Sequence, residues 1–148
     1  MKYESIVSPI VYKTIYLNTS DAVASTDRKI FNFNDMPLIQ VRGSKSILKI
    51  NSITLSGSGI SSASNKLWTI KLKNVNYNHN CYFNSDKLTN PTIAHLNFDN
   101  NNSIQSNNFS LELTTQDINQ PVLEIFNDHG EGATHIDFHI SLSLCEYE

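Results

Sequence analysis

A two-residue period dominates this chain. Near its end Ile136, Phe138, Ile140, Leu142 and Leu144 alternate with His135, Asp137, His139, Ser141, Ser143 and Cys145. Successive side chains of an extended strand point to opposite faces, so this run has one apolar and one polar face. The same alternation returns in Trp68, Ile70 and Leu72 against Thr69, Lys71 and Lys73. It returns again in Ala94, Leu96 and Phe98, and in Phe109, Leu111 and Leu113. Strands with one buried and one wet face belong to antiparallel sheets. A helical bundle or coiled coil is excluded, and composition agrees. The 148 residues include 16 Ile but only 5 Ala, the best helix former.

Nine strands are predicted, near 10–17, 28–33, 37–42, 46–56, 67–75, 92–98, 108–115, 121–127 and 134–145. Segment 46–56 changes phase, because Leu48 and Ile50 share one face while Ile53 and Leu55 share the other. A bulge or a bend between sheets explains such a change. Segment 10–17 is apolar on both faces and is expected to be covered on both. Only residues 20–28 suggest a helical turn. Turn residues punctuate the rest: Asp35-Met-Pro37, Arg42-Gly43-Ser44, a Gly/Ser-rich loop from Ser56 to Asn65, and Asp128-His-Gly-Glu-Gly132.

The length suits one domain, 1–148, with a short N-terminal extension of about 1–8. Short strands with unequal loops point to an all-β, antiparallel two-sheet sandwich of eight or nine strands. The long connections at 57–66, 76–91 and 99–107 suit strands that cross between sheets, so jelly-roll topology is expected. An immunoglobulin-type sandwich lacks support, since Cys81 and Cys145 do not flank Trp68 in the needed order.

Charged residues are only 17% and the net charge is −3, which argues against a protein that coats nucleic acid. Their place is taken by 19 Asn, 18 Ser and 10 Thr. The first residues show no charged stretch leading into an apolar run, so no secretory leader is expected. No segment approaches the ~18–20 apolar residues that cross a bilayer as a helix. Cys81 and Cys145 are far apart and read as free thiols of a reducing compartment. Sequons at Asn18, Asn101 and Asn108 are what an Asn- and Ser-rich chain makes by chance.

Candidate chemistry is sparse. His135, Asp137 and His139 would line one strand face, with Asp128, His129 and Glu131 in the loop before them. In-line neighbours on a strand stand ~6.5–7 Å apart, awkward for three ligands on one small ion. They are read as the polar face of an amphipathic strand, and no metal is assigned. Cys145 and His139 are six residues apart, about 20 Å along a strand, too far for a nucleophile and its base. Gly57-Ser-Gly59 and Gly130-Glu-Gly132 match no phosphate-loop pattern and read as loop glycines. Lys66, Lys71 and Lys73 accompany Trp68 and Tyr77, but alternation turns Trp68 to the core and the lysines to water. Asn76 to Asn84 mixes amides with Tyr77, Tyr82 and Phe83, a composition that suits sugar or protein contact. No catalytic residue and no cofactor is assigned.

The pattern resembles a single jelly-roll viral capsid protein. The resemblance rests on Met36-Pro-Leu-Ile-Gln-Val41, Ser46 to Leu55, Leu67-Trp-Thr-Ile-Lys-Leu72, Val122-Leu-Glu-Ile-Phe126 and Ile136 to Leu142. It is similar in style to minor capsid and penton proteins of DNA viruses. The basic N-terminal arm of small RNA-virus capsids is missing. The resemblance implies a non-enzymatic virion protein made in the host cytoplasm. It would assemble with copies of itself, as a pentamer or trimer, and with other capsid proteins, without binding nucleic acid directly. A glycan- or receptor-binding module is the alternative. Loops 57–65, 74–90 and 99–108, where much of the Asn, Ser and Thr gathers, are where partner contacts are expected.

Overall fold

The computed structural model describes residues 10–42, 46–75, 92–97, 103–104, 110–113 and 117–146. Among these residues ten strands form: β1 Ile10–Asn18, β2 Val23–Ala24, β3 Ile30–Asn32, β4 Ser46–Ser56, β5 Leu67–Lys73, β6 Thr92–Asn97, β7 Ser103–Ile104, β8 Ser110–Glu112, β9 Val122–Asn127 and β10 Asp137–Glu146. Two helical turns accompany them, a 3-10 turn at Thr19–Asp21 and α1 at Ile60–Ala63.

The strands build two antiparallel sheets. One runs β1-β10-β4, with β7 and β8 both on the far side of β4. The other runs β2-β3-β9-β5-β6. The pairings are nested. β5 pairs with β6, β4 with β7 and β8, β3 with β9, and β1 with β10. The chain therefore behaves as one long hairpin folded over on itself, which is the jelly-roll arrangement. The fold is an all-β sandwich, as the alternation requires. Of the three long connections, 57–66 joins β4 to β5 in the other sheet; 99–107 lies mostly outside the described residues, but β6 before it and β8 after it belong to different sheets. The connection between β5 and β6 does not pass between sheets, since those strands are neighbours in one sheet.

The core lies between the sheets. Trp68, Phe31 and Phe138 are its largest fully buried side chains, surrounded by Leu17, Leu48, Ile53, Leu55, Ile70, Leu72 and Ile93. Burying a Leu or Ile side chain stabilises by roughly 1.5–3 kcal/mol, so this layer dominates the fold's energetics. The Trp68 and Phe138 rings meet across it at 5.7 Å, tilted by 55°. The Trp68 indole N–H donates to the Ala63 carbonyl at 3.1 Å, which fixes α1 against the core.

The phase change in 46–56 is a bulge. Ser141 faces Ser52 while Leu142 faces Ile50, so Asn51 is the extra residue. This lets Leu48 and Leu55 both reach the core on opposite sides of the slip. A second irregularity falls in β1, at Tyr12, between Val11 and Lys13.

Two expectations are corrected. The predicted strand 37–42 reduces to one isolated bridge, Ile39 to Ile118. Pro37, which has no N–H, stands at its start. Segment 10–17 is not covered on both faces. Among the described residues β1 is the sheet's outer strand, and Ile10, Val11 and Tyr16 are exposed while Ile15 and Leu17 are buried. The predicted strand 108–115 lies partly outside the described residues, as do most of loops 74–90 and 99–108 and all of 76–84.

An exposed outer strand offers backbone groups to any other strand, and a bulge with a lysine is a recognised defence. Lys13 occupies that position in β1, exposed beside the bulge. Lys13→Val is expected to leave the fold intact but to increase aggregation through the strand edge. Light scattering against time at matched concentration measures this; scattering equal to that of the parent protein would show that Lys13 has no such role.

Candidate functional site

Three loops lock together at one end of the sandwich: residues 19–29, 57–66 and 128–136. Arg28 is the link. Its backbone is left-handed, with φ 54°. The guanidinium lies 5.3 Å from the Phe31 ring centroid. Its Nε donates to the Ala133 carbonyl at 2.6 Å, and Nη2 donates to the Ile136 carbonyl at 3.0 Å and to Asp137 Oδ1 at 3.2 Å. The Thr19 hydroxyl donates to the same Asp137 oxygen at 3.0 Å and accepts from the Phe138 N–H at 2.9 Å. The backbone adds Ala133 N–H to the Arg28 carbonyl at 2.9 Å.

Glycines allow the close approach. A Cβ on Gly132 would overlap the carbonyl oxygen of Asp27, and one on Gly57 would overlap that of His135. Gly59 N–H donates to the same His135 carbonyl at 2.9 Å. Gly57 and Gly132 are loop glycines, whereas Gly59 caps the start of α1, and all three allow close contact between loops.

The hydrogen bonds of the β9–β10 loop centre on buried Asn127. Its side-chain oxygen accepts from the His129 and Glu131 N–H groups at 2.9 and 3.0 Å. Its amide donates to Glu131 Oε1 at 3.1 Å, and the Lys66 ammonium reaches the same oxygen at 2.8 Å. Asp128 accepts from the Leu67 N–H at 3.3 Å. The result is a preorganised cap, bordered by exposed Asp21, Asp27, Asp128 and Glu131.

Lys66 and the Asn127 amide hold the Glu131 carboxyl below its ordinary range. The Ser25 hydroxyl, with help from Lys29, does the same for Asp27. A depressed folded-state pKa adds stability above the unfolded pKa, and that contribution is lost as pH falls through the folded value. Acidification below the usual carboxylate range is therefore expected to loosen this loop. Hydrogen-exchange protection of the His129 and Glu131 amides should fall there, and Glu131→Gln should remove that acid dependence. Protection that stays constant in the parent protein would contradict the cap's ion pairing.

The structure does not bring His135, Asp137 and His139 together. His135 is exposed in a left-handed turn with φ 59°, and the strand starts only at Asp137. Asp137 is engaged by Arg28 and Thr19. His139 Nε2 sits 2.8 Å from the Ser56 hydroxyl. Among the described residues no group of three His, Cys, Asp or Glu side chains is placed to hold a metal ion. Cys145 is buried, and its desolvation raises the thiol pKa, which disfavours the reactive thiolate. Trp68 is inside as expected, and Lys73 lies outside, 3.5 Å from Glu124. Nothing in the sequence singled out Arg28 beyond its rarity, as one of 2 arginines.

The outer faces of the sheets differ. On the β2-β3-β9-β5-β6 sheet, half-buried Ile30, Val122 and Phe126 share the outer face with Lys71, Lys73 and Glu124, and Val23 and Leu67 are 59% and 43% exposed. On the β1-β10-β4 sheet the outer face carries Thr14, Asn18, Ser52, Thr54, His139 and Ser141, with Tyr16 and Val11 exposed along β1.

No protein-family model matches this chain, and no curated protein matches it. Among solved structures it is similar to one of tomato aspermy virus determined by X-ray crystallography. The identity is 12% and the TM-score 0.34, over 93% of this chain and 79% of that one. Among the described residues no helix is long and apolar enough to cross a membrane.

Proposed function

We propose that this chain is a non-enzymatic structural protein of a virus particle. The observation that carries the reading is the nested jelly-roll pairing, an architecture used by capsid domains, here closed at one end by an interlocked rigid cap. Rigid sandwiches suit lattices because flanks hold a fixed geometry around a symmetry axis. The β2-β3-β9-β5-β6 flank is the packing surface in this reading. It mixes Val23, Ile30, Val122 and Phe126 with lysines and a glutamate, apolar contact area interleaved with polar groups as in many protein interfaces. Partners are copies of this chain, as a pentamer or trimer, and other capsid proteins. Placement as a minor capsid or penton component is the finer form of the proposal, and the virion its location.

Sedimentation velocity across a wide concentration range, with and without co-expressed capsid proteins, tests this. A closed oligomer or a co-sedimenting particle is expected. A monomer under every condition would overturn it.

A further inference from the structure

We propose that the outer face of the β1-β10-β4 sheet binds a neutral oligosaccharide, with Tyr16 as its stacking platform. Register places Tyr16, Ser141 and Ser52 in one row across three strands, and Asn18, His139 and Thr54 in the next. Strands lie ~4.8 Å apart and same-face residues ~6.8 Å apart along a strand, so the two rows span an area of roughly one to two sugar rings. Tyr16 borders this field on the outer strand and is 72% exposed.

The polar groups are held in place. Asn51, pushed out by the bulge, donates through Nδ2 to the Ser143 and Ser141 hydroxyls at 2.6 and 3.3 Å. Its side-chain oxygen and the Ser141 hydroxyl hydrogen keep hydrogen-bonding capacity beyond those bonds. The His139 to Ser56 contact fixes the imidazole at the other border. Such preorganisation lowers the entropy lost on binding.

The chemistry of the face selects the occupant. A protein partner wants an apolar centre, and among the described residues these two rows offer one aromatic ring among hydroxyls, an amide and an imidazole, with exposed Val11 away from them towards the start of β1. An anionic ligand wants several cations, and among the described residues of this face only Lys49 stands at the border, opposite Ser143. A neutral sugar has an apolar C–H face for the Tyr16 ring and hydroxyls that exchange hydrogen bonds with amide and hydroxyl groups. The proposal does not depend on the capsid reading, because binding is measured on the isolated chain whatever its oligomeric state.

Saturation-transfer NMR of the intact protein with chitotriose, N-acetyllactosamine and maltotriose, and with a sialylated trisaccharide as the charged control, is the test. Transfer to at least one of the three neutral sugars is expected. Tyr16→Ala should weaken it by roughly tenfold, while Tyr16→Phe keeps the ring and the binding. Asn51→Ala should weaken it by a few-fold. Both side chains are exposed, so the fold should survive, and near-ultraviolet circular dichroism confirms that for each variant. No transfer from any probe overturns the proposal. So does transfer that persists unchanged in Tyr16→Ala, or binding restricted to a sialylated trisaccharide.

Discussion

Trp68→Ala is expected to lower the unfolding free energy by about 4 kcal/mol, the range for emptying a buried aromatic site. Trp68 is 1% exposed and meets Phe138 at 5.7 Å, so its removal leaves a void between the sheets at their centre. It also orphans the Ala63 carbonyl, which accepts the indole N–H. Domains of this size commonly have ~5–15 kcal/mol in total, so the variant would be marginal at body temperature. Trp68→Phe separates the two effects. It keeps most of the ring packing and loses the hydrogen bond, at a cost of roughly 1–2 kcal/mol. Urea unfolding followed by circular dichroism measures both. An alanine variant within about 1 kcal/mol of the parent would contradict the central position given to Trp68.

Gly132→Ala is expected to cost ~3 kcal/mol, because overpacking against atoms that cannot rotate away forces the backbone to move. The atoms in question are the main-chain carbonyls of Asp27 and Arg28, not flexible side-chain ends. Moving them breaks the Ala133 to Arg28 backbone hydrogen bond at 2.9 Å and disturbs the guanidinium bonds that join the loops. Gly130→Ala is the control. Nothing lies within 4 Å of its added Cβ, but its φ of +74° is unfavourable for alanine. Its cost should stay near 1 kcal/mol, the strain alone. Thermal unfolding of the pair measures the difference. Equal shifts in the two variants would show that the loops are not interlocked at Gly132.

Much of the architecture was legible because period two is a local property. β5, β6, β9 and β10 follow the alternation closely, and the bulge at Asn51 was visible as a slip of apolar phase. What failed depended on partners distant in sequence. β2 and β7 are two residues each, and only their neighbours make them strands. Residues 37–42 look like a strand, yet they find a single bridge partner in Ile118. β1 has apolar residues on both faces, but as the outer strand it leaves Tyr16 in water. The alternation also ran two residues too far at the start of β10, because a left-handed turn at His135 leaves no mark in polarity. That error made His135, Asp137 and His139 look aligned. Arg28 and Gly132 carried no readable signal, since their roles exist only once three separate loops meet.

In the function proposed, this sandwich is a building block of a particle. Electron cryo-microscopy of particles assembled with the purified chain tests it most directly. The expected result is density for the two-sheet sandwich repeated around a symmetry axis, with the β2-β3-β9-β5-β6 flank against a neighbour and the β1-β10-β4 face open. A chain absent from every particle, and monomeric beside them, would contradict it.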